Sequence, residues 1–396
     1  MDNGAAPRTP ALLLGSGVTV LGTLRSLARA GIPAWCLSGG GELERHSRWY
    51  RAIPGATPLR SPDGLAESLS RLPFEKAVLM ACSDHWVQAV GELPAELAGR
   101  FPASQPPPGV QRLFLDKGDF AGLLVRCGVP HPRTILLEKR EDLDQVPAAD
   151  LPGYFLKPRD SLGFSRRWGV KALRVSSPVE AAERFESLRE AGFAVVLQEL
   201  IPGPADRHYY VEGLIDREGR PRATFARRRL RMFPPDFGNS TYMTSVPLGE
   251  VAPAAADLHR LLAAVGYRGI FSAEFKRDDR DGLFKLLEVN ARPWWYIEFA
   301  ASCGVNLAAL AWRDALGLEV PSVDGYRMGM SSMHFEYDLH VCRELLQQGR
   351  LGLGECLRAW GRARFTVFRW DDPLPALAGL GGRLRRRLLG RRPAAG

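Results

Sequence analysis

The residues of this sequence best suited to chemistry are Glu274, Glu288, Asn290 and Arg292, all within residues 271–295. Two carboxylates and an amide oxygen are hard donors of the kind Mg²⁺ prefers, and that ion keeps positions for water and phosphate oxygens. Arg292 adds a planar fork that can grip a phosphoryl or carboxylate group. Together these groups suit a magnesium nucleotide. A solvent-exposed hairpin with ordinary surface charges is the other reading of Glu274 taken alone. Against it, the run Leu286, Leu287, Glu288, Val289, Asn290 puts polar groups inside an apolar strand, and burial of such groups is costly without a partner.

Two strands flanking the Asp/Gly-rich turn 278–282 would position these side chains. Period-two alternation points Glu288, Asn290 and Arg292 to one face, and a register pairing Glu274 with Glu288 gathers the three metal donors.

The chain has 396 residues, 45% apolar and 24% charged, which is enough for two or three globular domains. Its six cysteines form no C-x-x-C pair, so neither a zinc site nor a disulfide framework is indicated and a reducing cytoplasm fits best. No secretory leader is expected, and the longest apolar region, 300–312, is too short and too interrupted to span a bilayer. The net charge of +9 is concentrated: six arginines lie within 383–392 and four within 227–231. A basic terminus of this kind is read as a frayed end or as a contact for an acidic partner, RNA or a membrane surface.

Residues 11–37 read as strand, glycine turn, helix, strand, a βαβ opening with Gly15 and Gly17 in the turn. Val20 stands where a dinucleotide fingerprint needs a third glycine, and Ser38 where it needs an acid, so that fingerprint is weak. A strand at 76–81 ends at Ser83 and Asp84, either of which can cap the next helix. The proline-rich stretch 102–109 is the linker candidate. A helix is expected over 113–127, strand-rich sequence over 154–244 with a helix at 178–191, a helix at 254–265, and a mostly helical end over 305–378.

Several motifs now resemble, in order, those of an ATP-grasp domain. Lys117 in Asp116-Lys117-Gly118-Asp119-Phe120, followed by Gly128-Val129-Pro130-His131-Pro132, resembles the family's helix with an ATP-directed lysine. Lys157 in Phe155-Leu156-Lys157-Pro158 looks like the strand lysine that reaches the α- and β-phosphates. The loop 160–170 sits where the family has a phosphate lid; it keeps Gly163, Ser165 and Gly169 but carries Arg166, Arg167 and Trp168 in place of small residues. Residues 195–203 look like the hinge strand, which would direct Gln198 and Glu199 to adenine and offer the Ile201 backbone N–H. The ribose carboxylate of the family falls at Ala205, with Asp206 beside it.

The resemblance implies an α/β domain over 1–112, an α+β ATP-grasp domain over 113–315, a helical segment over 316–378 and a basic tail over 379–396. It implies ATP with Mg²⁺ or Mn²⁺ as cofactor, Glu274, Glu288 and Asn290 as metal donors, and Lys157 and Arg292 in catalysis. A substrate carboxylate would attack ATP to give an acyl phosphate, which an amine then captures. Arg229 and Arg231 alternate along one strand and are read either as binders of an anionic substrate or as surface charges. A nicotinamide or flavin oxidoreductase built on the βαβ unit and a basic nucleic-acid-binding protein are the alternatives; with the ligase reading, no nucleic-acid partner is expected.

Overall fold

The computed structural model describes residues 9–159, 164, 171–234 and 237–380. The lid glycine Gly163 and Ser165, with Arg166 to Trp168, and the basic tail beyond residue 380 lie outside them.

Strands β1 (Ala11–Leu14), β2 (Ala34–Cys36) and β3 (Val78–Ala81) form a parallel sheet of order β2-β1-β3. Helix α1 (Val18–Arg29) crosses between the first two, and α2 (Leu65–Ser70), α3 (Asp84–Gly91) and α4 (Ala95–Arg100) complete this unit. The turn entering α1 uses Gly15 and Gly17 at φ 126° and 80°, and a Cβ on Gly15 would meet that of Cys82 at 3.2 Å. Its amides are already occupied: Gly15 N–H donates to Ser38 Oγ at 2.7 Å and Gly17 N–H to the buried Glu44 carboxylate at 2.8 Å. An internal carboxylate thus fills the place where a dinucleotide pyrophosphate would sit on a helix N-terminus, which argues against the oxidoreductase reading.

The stretch 102–107 is neither helix nor strand and enters α5 (Pro108–Leu115), so the last residues of the expected linker are helical. The single helix expected over 113–127 is two helices. Asp116 adopts an extended conformation between α5 and α6 (Lys117–Arg126), and its side chain accepts from Gly118 N–H and Asp119 N–H. That cap satisfies orphan donors of a new helix start, so the apolar pattern runs on while the backbone breaks.

A four-stranded antiparallel sheet of order β4-β7-β5-β6 follows: β4 (Thr134–Leu137), β5 (Tyr154–Pro158), β6 (Leu173–Arg174) and β7 (Val195–Glu199). Helix α7 (Pro178–Glu190), capped by Ser177, packs Ala181, Phe185 and Leu188 into this small sheet's core. The larger sheet has seven strands, ordered β12-β11-β8-β9-β10-β13-β14. They are β8 (His208–Ile215), β9 (Pro221–Phe233), β10 (Asn239–Ser245), β11 (Gly269–Arg277), β12 (Phe284–Asn290), β13 (Ser331–Met333) and β14 (Ala363–Phe365). Helices α5, α6 and α8 (Ala252–Ala264) supply the core of one part of this sheet. Helices α9 (Ile297–Cys303) and α10 (Leu307–Ala315) join it to the N-terminal sheet in one continuous apolar cluster.

The C-terminal segment is not only helical. Beside α11 (Phe335–Gln347), α12 (Leu353–Arg362) and a helix over 374–380, it adds β13 before α11 and β14 after α12 to the large sheet. Buried Asp338 on α11 fixes this segment: Arg231 forks onto it at 2.8 and 2.7 Å, and Thr241 Oγ1 and Trp360 Nε1 donate to it at 2.9 and 2.8 Å. Removing one partner of such a pair leaves a buried guanidinium without its countercharge, so Asp338→Ala is expected to cost about 3–5 kcal/mol. Urea unfolding checks this; a loss under about 1 kcal/mol would mean that the cluster adds little.

Candidate active site

The candidate site is a cavity of about 250 Å³ between the four-stranded and the seven-stranded sheet. Its small-sheet side carries Lys157 of β5, Gln198 of β7, Thr134 of β4 and His131; Lys117 comes from the first turn of α6, and the large-sheet side is Leu286 to Asn290 of β12. Lys157 stands in an otherwise buried strand, where alternation turns it out of the small core. Gln198 donates to Thr134 Oγ1 at 3.0 Å across β4 and β7, which fixes its amide at the cavity wall. Lys117 Nζ donates to the Arg159 carbonyl at 3.3 Å, while Arg159 itself forks onto Asp116 at 2.9–3.1 Å.

Glu199, expected to face the base together with Gln198, does not line this cavity. Adjacent residues on a strand face opposite ways. Its carboxylate instead accepts from Arg133 N–H at 3.1 Å and pairs with Arg280 of the β11–β12 turn, linking β7 to the β11–β12 hairpin. Ile201 is buried just beyond β7. Asp206 pairs with Arg228 at 2.9 Å through one carboxylate oxygen, and its other oxygen is buried without a hydrogen-bond partner among the described residues.

The hairpin has the anticipated register, with Glu274 directly opposite Glu288 on β11 and β12 and Ser272 opposite Asn290. Asn290 Nδ2 donates to Glu288 Oε1 at 3.1 Å, and its Oδ1 accepts from Arg292 at 3.2 Å. Glu274 is held on the same sheet by His208 Nδ1 at 2.8 Å and Arg229 at 3.1 Å. Burial alone would raise the Glu274 carboxyl, but Arg229 and the His208 hydrogen bond outweigh it and keep it well below the usual range. Burial pushes the His208 imidazole down to about 4, with Arg229 adding to the effect, so this ring is neutral at pH 7.

These donors fit a small hard cation. Glu288 and Asn290 open into the cavity beside two lysines that suit phosphates, and Glu274 lies opposite in register. Among the described residues no three His, Cys, Asp or Glu side chains form a closed metal cage. A Mg²⁺ ion here would therefore draw remaining ligands from nucleotide phosphate and water, as this ion commonly does.

The structure separates Arg229 from Arg231. Arg229 is 3% exposed and joins Glu274, Tyr210 and Ser240, whereas Arg231 is neutralised by Asp338. Arg231 is thus not a solvated charge: its guanidinium holds α11 through Asp338. The most informative residue missed from sequence is Asp84. Read as a helix cap, it makes a bidentate pair with Arg292 at 2.8 and 3.0 Å and lines the cavity. Ser83, at the N-cap position, makes no side-chain cap bond. The pairing joins residues 208 apart, so local sequence carried no sign of it.

No family model matches the chain. A D-aspartate ligase from Enterococcus faecium is 22% identical over 324 residues, 76% of each chain. Among solved structures, the biotin carboxylase domain of Hydrogenobacter thermophilus 2-oxoglutarate carboxylase, crystallised with MgADP, ADP and bicarbonate, superposes with a TM-score of 0.62 at 17% identity, covering 83% of this chain and 74% of that one. N5-carboxyaminoimidazole synthetase from Staphylococcus aureus gives a TM-score of 0.63 at 13% identity over 86% of both chains. An L-amino acid ligase from Bacillus licheniformis gives 0.55 at 14%, covering 79% and 75%. With the lysines, the hinge strand and the Glu-x-Asn-x-Arg hairpin meeting at one cavity, these likenesses identify the chain as having the ATP-grasp fold.

Proposed function

We propose that the protein is an ATP-dependent ligase that activates a substrate carboxylate as an acyl phosphate and joins it to an amine, releasing ADP and phosphate. One observation carries this reading: Lys117, Lys157, Gln198, Glu288 and Asn290, drawn from separate elements, line a single cavity. Gln198 would recognise the base, Lys117 and Lys157 the phosphates, and Glu288 with Asn290 and Glu274 would hold Mg²⁺, which neutralises phosphate charge when bound. Arg292, at the end of the same strand, would grip the transferring phosphoryl or the substrate carboxylate. Little covalent work is asked of the protein, because phosphoryl transfer is catalysed mainly by positioning and charge stabilisation. The reaction named for the D-aspartate ligase, and that of the L-amino acid ligase, support a small carboxylate and an amine as the substrate pair.

The reading is tested by thermal unfolding in the presence of MgATP, NADPH or an oligonucleotide. A ligand that binds only the native state at a hundred times its Kd stabilises it by about 2.7 kcal/mol, so MgATP is expected to raise the melting temperature by several degrees. A shift with NADPH or the oligonucleotide and none with MgATP would overturn the assignment. A screen of carboxylate and amine pairs for ADP release then identifies the substrates.

A further inference from the structure

The C-terminal face carries an apolar surface unlike the rest of the molecule. Of fourteen exposed large apolar side chains among the described residues, eight lie between Phe335 and Leu380. In the helix over 374–380, Leu374, Leu377 and Leu380 recur at helical spacing and are 56%, 55% and 54% exposed, while Pro375 and Gly379 on the other side are buried. This helix therefore turns its leucine face outward. Leu353 and Leu357 of α12 are exposed as well, one helical turn apart, and Trp370 is 91% exposed between the two helices in sequence. A chain of ring contacts runs from Trp360 of α12 through Phe335, Phe365 and Phe368 to Trp370.

Arginine outnumbers acid among the exposed charges of residues 343–371. Arg358, Arg362 and Arg364 are exposed beside it. Buried Asp338 pairs with Arg231 and buried Asp372 with Arg25, while the exposed Asp371 pairs with Arg369 and the exposed Glu355 accepts from Gly352 N–H. In sequence, residues 381–396 add six arginines and no acid.

We infer that this face docks peripherally on an anionic lipid bilayer, with the leucines and Trp370 entering the interface and the arginines meeting headgroups. Outward leucines combined with arginines and an interfacial tryptophan are the composition of a surface-lying element, and anionic headgroups attract such basic segments. A second copy of the chain fits less well, because a symmetric contact would set this arginine-rich surface against itself. A nucleic acid would use the arginines but leave the leucines in water. No helix among the described residues is long and apolar enough to cross a membrane.

The test is flotation of the full-length protein with vesicles of phosphatidylcholine alone or mixed with phosphatidylglycerol. Wild type is expected to float with the anionic vesicles and to partition at least about tenfold less onto phosphatidylcholine or at high salt. The triple variant Leu374→Asp, Leu377→Asp, Leu380→Asp is expected to lose flotation with melting temperature and ADP release unchanged. A second variant, Arg358→Ser with Arg362→Ser and Arg364→Ser, is expected to weaken it. The proposal is overturned if wild type fails to float with anionic vesicles, or if the leucine variant floats equally well. It is also overturned if light scattering shows a wild-type dimer that the leucine variant splits and neither form binds vesicles. Because flotation needs no substrate, its failure is distinct from failure of the ligase reading.

Discussion

Glu288→Gln is expected to lower ADP release by about a thousandfold or more while leaving the melting temperature of the ligand-free protein unchanged, since metal-assisted charge stabilisation supplies several kcal/mol of a phosphoryl-transfer barrier. The physical ground is where the side chain stands. Glu288 is exposed to the cavity and accepts from Asn290 Nδ2 at 3.1 Å, a bond that a glutamine oxygen can also accept. Folding therefore loses little, whereas the donor set for Mg²⁺ loses a full charge. Glu274→Gln makes the contrast. That carboxylate is the countercharge of buried Arg229 and the acceptor from His208, so its loss is expected to cost stability as well as turnover, on the order of 3 kcal/mol for a broken buried pair. Measuring ADP release beside thermal unfolding separates the two. A Glu288→Gln enzyme within tenfold of wild type would remove the residue from the metal site.

The hairpin was legible from sequence because its signal is local. Alternation over 284–290 sets the face, the turn at 278–282 sets the reversal, and together they place Glu274 across from Glu288. The two lysines and Gln198 were legible through motif order, and the structure brings them to the same cavity. What stayed hidden depends on partners distant in the chain. Asp84 reads as a cap until Arg292 is folded against it, and Arg231 reads as a surface or substrate charge until Asp338 arrives from α11. Asp116 was hidden for another reason: a helix break that preserves the apolar spacing leaves the pattern of 113–127 unchanged. Strands β13 and β14 have three residues each, too few for alternation to show.

Arg292→Ala is expected to lower kcat by about a hundred- to a thousandfold while sparing the melting-temperature rise produced by MgATP, the loss found when one charge-stabilising donor leaves a transition state. Lys157→Ala is expected to do the reverse, weakening the MgATP shift, because a lysine on the small sheet meets phosphates already in the ground state. The distinction rests on Asp84. Arg292 is held by the Asp84 carboxylate, with Asn290 Oδ1 as a further acceptor. Burial alone would lower the Arg292 guanidinium, but Asp84 outweighs it and holds it above its ordinary range. An anionic substrate or a transferring phosphoryl must exchange with that carboxylate to be gripped, so ground-state binding through Arg292 is offset by the lost pair. As negative charge gathers on the phosphoryl oxygens, the same guanidinium gains more than Asp84 gave it, and the benefit falls on kcat. Asp84→Asn supplies the internal check: with a weaker ground-state partner for Arg292, KM for the anionic substrate should fall while the MgATP shift stays as in wild type. Equal small effects of Arg292→Ala on kcat and KM, or an Asp84→Asn enzyme with an unchanged KM, would show that the pair is structural and that another cation stabilises the transfer.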